Sequence, residues 1–181
     1  VKNIFYKRFH KGIITEATDL SLPAGSGEFE TIGAELKKTI LEKFGRSFHI
    51  REVDTGSCGA CESEIIAMSN PIYDMQRFGV DIVASPRHAD ALLVTGPVSK
   101  NMEIALKRTY EAMPEPKLVI SCGDCAKDGG IFKDSYYTCG GAGKILSVQT
   151  HIPGCPPKPG DIIKSLVALL RNLNSDTGEK T

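Results

Sequence analysis

The stretch DALLVTGPVSKNMEIALKRTYEAMP, residues 90–114, decides the fold. Its first part is a short apolar run of strand length. Its second part, from Ser99 to Met113, follows a helical pattern that stops at Pro114, and Ser99 is the kind of residue that caps a helix start. Working outward, the same alternation recurs. FHIREV from 48, VDIVA from 80, KLVISC from 117 and SVQTHI from 147 read as strands. Residues 62–69, stopped by Pro71, and DIIKSLVALLRNL at 161–173, with Asp161 as N-cap, read as helices. Upstream, Ile32, Leu36, Ile40, Leu41 and Phe44 keep helical spacing from Glu30, and Gly45 stands where a left-handed residue ends a helix. Strands apolar on both faces, alternating with helices, predict an α/β domain with a largely parallel sheet.

The totals are those of one well-cored soluble domain: 181 residues, 41% hydrophobic and 24% charged. Lys plus Arg and Asp plus Glu balance at 22 each, so no field of one sign attracts nucleic acid or an anionic membrane. The start VKNIFYKRFHKGIITEATD has neither an apolar segment with a cleavage site nor a paired-arginine signal, and export is not expected. Apolar runs fall short of the ~20 residues a membrane span needs. A cytoplasmic setting keeps thiols reduced, so six cysteines read as metal ligands or redox groups. Residues 1–30, with the loop-like LPAGSGEFE, read as an N-terminal arm in which Phe5, Phe9 and Ile13 suit a short amphipathic helix laid on a partner. Residues 31–175 form the domain and 176–181 a polar tail.

The cysteines are not scattered. Cys58 and Cys61 follow the first strand in the glycine-rich DTGSCGACESE, Cys122 and Cys125 follow the strand from Lys117, and Cys155 follows the strand from Ser147. Parallel strands share one C-terminal edge, where open α/β sheets bind their ligands, so these thiols converge. Cys139, in YYTCGGAG, has no obvious place in the set. Converging thiolates suit tetrahedral zinc or a [4Fe–4S] cluster. Zinc would pair Cys58 and Cys61 with Cys122 and Cys125, but 60 residues separate the pairs, against roughly 15–20 in zinc ribbons. Cys155 followed by proline is of the iron–sulfur type. The residues favour a cluster and leave zinc open, with a thiol oxidoreductase built on one C-x-x-C as a third reading.

Four blocks, GSCGACESEI (56–65), YDMQRFGVDIVASPRHADALLVTGPVSKNM (73–102), PEPKLVISCGDCAKDGGIF (114–132) and IPGCPPKPG (152–160), resemble in order and spacing the small cluster-bearing subunit shared by membrane-bound energy-converting [NiFe] hydrogenases (group 4) and respiratory complex I. The likeness covers roughly residues 46–172. It implies a flavodoxin-like core with one [4Fe–4S] cluster held by Cys58, Cys61, Cys125 and Cys155, and makes Cys122 a small buried filler. The implied partners are a hydrogenase-type or complex I-type large subunit, a ferredoxin-like subunit and, through the complex, membrane subunits. The chain would then sit on the cytoplasmic face of the inner membrane. The complex I form has adjacent cysteines in the first block, whereas C-x-x-C stands here, so the hydrogenase branch is favoured; sulfur-reducing, quinone-linked and formate-linked relatives share the cluster.

Glu64 lies six past Cys58 and matches the family's acidic position, which makes it a candidate catalytic proton relay; as plain structure it caps the first turn behind Cys61. Arg87 and His88 in SPRHAD are expected beside the cluster, where a cation favours the reduced form. Asp124 and Lys127 read as solvated, and His10 and His151 as ordinary surface or strand residues. No phosphate-loop motif opens a helix, so nucleotide and flavin binding are not expected.

Overall fold

The computed structural model describes residues 26–173; the expected helix around Phe5, Phe9 and Ile13, His10 and the tail lie outside them. In chain order the elements are α1 (Ser26–Phe44), β1 (Phe48–Asp54), α2 (Ala60–Ala67), β2 (Val80–Ile82), β3 (Ala91–Thr95), β4 (Val98–Ser99), α3 (Glu103–Glu111), β5 (Leu118–Cys122), α4 (Asp124–Asp128), β6 (Thr138–Gly140), β7 (Thr150–Ile152) and α5 (Pro159–Asn172). Five strands form one sheet in the order β2-β1-β3-β5-β7, each pair parallel. With the short antiparallel pair β4 and β6 set aside, this is the flavodoxin-like order.

Side-chain alternation divides the core between the two faces of the sheet. Ile50, Leu93, Ile120 and Ile152 pack with α1, α2 and α5, while Leu92, Val94 and Val119 pack with Leu106 of α3. All five residues of β3 are buried, which is why its sequence is an unbroken apolar run. At the N-terminal edge Asp90 joins two strands: its carboxylate accepts from both Arg46 Nη1 and Nη2, at 2.9 and 2.7 Å, and from the backbone N–H of His49 at 2.9 Å.

Several expectations shift. Helix α1 begins at Ser26, so it runs across the expected boundary at residue 30; it ends at Phe44, and Gly45 has φ +63°. Ser99 is not an N-cap, because its backbone is taken up by the β4–β6 ladder and α3 starts only at Glu103. Asp161 is inside the first turn of α5, since Pro159 supplies the preset φ that opens the helix. The turn Pro86–His88 leads into β3 and so lies at the opposite edge from the cysteines. There Arg87 and His88 line a cavity of ≈ 310 Å³ with Arg46, His49 and Pro114, and they do not flank the thiols.

Leu106 is fully buried between α3 and the sheet, whereas Leu41 is 64% exposed on α1. Leu106→Ala should cost about 2–5 kcal/mol in urea unfolding followed by circular dichroism, and Leu41→Ala no more than about 0.5 kcal/mol. Equal losses would contradict this packing.

Candidate metal centre

Three of the loops that leave the C-terminal edge of the sheet, those after β1, β5 and β7, carry cysteine. After β1, the Asp54 carboxylate accepts from the backbone N–H of Gly56 and of Ser57, both at 2.8 Å, and Ser57 Oγ accepts from Gly59 N–H at 3.0 Å. These local bonds wind the chain into α2, leaving Cys58 exposed in the loop and Cys61 partly buried in the first helical turn. Buried Thr55 ties the loop to β3, giving both its N–H and its hydroxyl to Thr95 O, at 3.0 and 2.7 Å.

The loops after β5 and β7 are joined to each other. Asp124 donates its backbone N–H to Gly154 O at 2.9 Å, and its carboxylate accepts the Gly154 N–H at 3.0 Å. Gly123 N–H reaches Ile152 O at 2.8 Å. Cys125 in α4 and Cys155 beyond β7 therefore share one frame, and the Cys155–Pro156 bond within it is cis. Asp124 is exposed, as its place in a charged loop suggests, and its carboxylate also bridges to the next loop, as one just past a strand end can.

Gly123 brings the third loop in. Its φ of +87° is open to glycine alone at little cost, and a Cβ there would stand 2.7 Å from Cys61 Sγ. A Cβ on Gly130 would likewise stand 2.8 Å from Cys125 Sγ. Burial pushes the Cys125 thiol up, and the charges of Cys155, Cys58 and Cys61 push it further. All four are free. Among the described residues no three His, Cys, Asp or Glu side chains are gathered closely enough to hold a single metal ion.

The other two cysteines are not in the proposed set. Cys122 is fully buried at the end of β5, and the interaction of its thiol with that of Cys61, followed by burial, pushes the Cys122 thiol up while the Cys61 thiol is lowered. Cys139 in β6 approaches Glu103 Oε2 at 3.5 Å against α3. Glu64 is partly buried on α2, but Glu62 is the acid of the first turn. Both carboxylate oxygens of Glu62 are buried without a hydrogen-bond partner. Nearby Glu52 has its carboxyl raised, chiefly by burial, against a 3.1 Å bond from Thr95 Oγ1 and with Glu62 adding to the shift. His151 in β7 has Nδ1 3.0 Å from Ser121 Oγ, and burial lowers its pKa.

A family model described as NADH ubiquinone oxidoreductase, 20 Kd subunit, matches residues 58–169. Formate hydrogenlyase subunit 7 of Escherichia coli is 47% identical over 126 residues, 70% of this chain and 49% of that protein, so the chain spans about half the length of this relative. The probable membrane-bound hydrogenase subunit mbhJ of Pyrococcus furiosus is 46% identical over 141 residues, 76% of this chain and 84% of that one. Among solved structures, a chain of the membrane-bound sulfane sulfur reductase, an archaeal respiratory membrane complex, superposes with a TM-score of 0.65 at 30% identity, covering 80% of this chain and 78% of its own. The family match spans more than half of the chain and holds all three cysteine-bearing loops, and the chain belongs to the family of the 20 Kd subunit of NADH ubiquinone oxidoreductase, a family of oxidoreductase-complex subunits.

Proposed function

We propose that this chain is an electron-transfer subunit of a membrane-associated oxidoreductase, holding one [4Fe–4S] cluster through Cys58, Cys61, Cys125 and Cys155. The observation that carries the proposal is the convergence of four free thiols, from loops almost a hundred residues apart, on one sheet edge. The donor set fits such a cluster in kind, since thiolate sulfur is its ordinary ligand. Glycine at 123 leaves the space beneath Cys61 that a side chain would fill. When bound, the cluster supplies one-electron redox chemistry.

The protein's part is to hold and to tune. Asp124 and Gly154 fix two ligand loops against each other, and Thr55 fixes the third to β3. Position and surroundings of the thiols then set where single electrons arrive and at what potential. Ile131, whose backbone approaches Cys125, is 85% exposed, and Tyr136 (87%) and Tyr137 (47%) are exposed further along the same segment, large apolar groups of the kind that a partner subunit covers. We assign that partner as a hydrogenase-type large subunit, with a ferredoxin-like subunit as the other electron partner. The C-x-x-C spacing and the formate hydrogenlyase and hydrogenase relatives support this. A sulfur- or quinone-reducing complex is the second reading, favoured by the likeness to the sulfane sulfur reductase. Among the described residues no helix is long and apolar enough to cross a membrane, and attachment to the cytoplasmic face through partner subunits is part of the proposal. Glu64 is retained as a candidate proton relay on α2.

Protein purified without air should carry about four iron and four acid-labile sulfide per chain, and zinc in their place would defeat the assignment. Cys125→Ser should lose the spin-resonance signal of the reduced cluster while Cys139→Ser keeps it; the reverse pattern would remove Cys125 from the ligands. Asp124→Ala, which unfastens the two loops, should weaken metal retention by roughly 10–100-fold in competition with a chelator, with the fold intact by circular dichroism.

A further inference from the structure

Arg87 and His88 take no part in the thiol edge; with Arg46, His49 and Pro114 they line the cavity at the other end of the sheet. Three chain segments meet there: the turn Pro86–His88 ahead of β3, the entry to β1, and the stretch between α3 and β5. Two guanidinium groups and two imidazoles line the space, and no carboxylate does. The acids next to these residues in the chain are committed elsewhere. Asp90 accepts from Arg46 Nη1 and Nη2 and from the His49 N–H, and Glu115 is paired with Lys117 at 3.2 Å.

The same bonds arrange the donors. Arg46 Nη1 directs its two hydrogens to Asp90 Oδ2 and Ser47 O, at 2.9 and 2.8 Å, and Nη2 directs one to Asp90 Oδ1 at 2.7 Å. The Nε–H and one Nη2 hydrogen remain, on a guanidinium held in place by a bidentate pair. The His49 ring is fixed through Nδ1, 3.1 Å from the His88 carbonyl. Arg87 is exposed and, among the described residues, has no hydrogen-bond or ion-pair partner. Because Arg46 and Asp90 cancel in charge, Arg87 gives the cavity its net positive sign.

We propose that this cavity is an anion site that takes a phosphate group, with Arg87 supplying the charge and Arg46 the fixed donors. Its ≈ 310 Å³ lies at the lower end of small-molecule sites, roughly 300–1,000 Å³, which is room for phosphate or a short phosphate ester. A guanidinium fork meets two phosphate oxygens at once. A carboxylate has only two oxygens, whereas the donors here come from two segments of the chain, and a tetrahedral phosphate presents oxygens to both. The site lies at the edge remote from the thiols and does not depend on what they bind.

The full chain, purified without air, is titrated with inorganic phosphate at fixed ionic strength and followed by amide resonance shifts. Saturable shifts should centre on residues 49 and 87–89. Arg87→Ala should weaken the affinity at least about tenfold, and Arg87→Lys less, because an ammonium keeps the charge without the fork. Lys133→Ala, which removes one positive charge beyond α4 at the thiol edge, should leave it unchanged. Acetate should bind at least about tenfold more weakly than phosphate. No saturable shift, equal weakening in Arg87→Ala and Lys133→Ala, or acetate binding as tightly as phosphate would each overturn the proposal. Vesicles of phosphatidylglycerol that hold the parent and release Arg87→Ala would trace the phosphate to a lipid headgroup. Binding of glycerol 3-phosphate with the vesicles ignored would trace it to a soluble ester.

Discussion

A strand can turn only where it ends, and here five strands run the same way. Every loop leaving one of them therefore opens at a single edge, whatever the distance along the chain. Cys58 and Cys155 reach the same edge for that reason. Parallel direction is coarse, however, and placement at the scale of a metal site comes from hydrogen bonds: Asp54 within the first loop, Thr55 between that loop and β3, and the Asp124–Gly154 exchange between the other two.

The features legible in the sequence were those with a period or a punctuation mark. The unbroken apolar run of β3, the α3 pattern ahead of Pro114 and the glycine after α1 all announce their elements. The expected strand from Ser147 shrinks to Thr150–Ile152, and Ser99 enters a two-residue ladder, because pairing partners far away in the chain decide such short pieces. Arg87 and His88 stand at the edge opposite to the thiols because the turn that carries them leads into β3, and a turn entering a parallel strand lies opposite to one leaving it. For the candidate site, the cysteine pattern points to the sheet edge at which Cys58, Cys61, Cys125 and Cys155 stand. Nothing in the sequence announces the bridging carboxylate of Asp124, since it depends on which loops become neighbours.

The sheet face under α2 changes character as it nears the thiols. It is apolar through Phe48, Ile50, Ala91, Leu93 and Ile120, then ends in Glu52, Thr95 and Cys122. Burying Glu52 beside Glu62 is unfavourable for the fold, as the raised Glu52 carboxyl records. Local rules give way in this manner where a protein keeps polar groups for a task other than packing.

Shelter is unequal among the four thiols: Cys61 and Cys125 rest partly against the body of the domain, while Cys58 and Cys155 face outward. Oxidation of sulfur follows exposure, so dioxygen or peroxide arriving from solution meets the loops after β1 and β7 first. In the separated chain those two sulfurs are the ones an oxidant reaches without displacing any other residue.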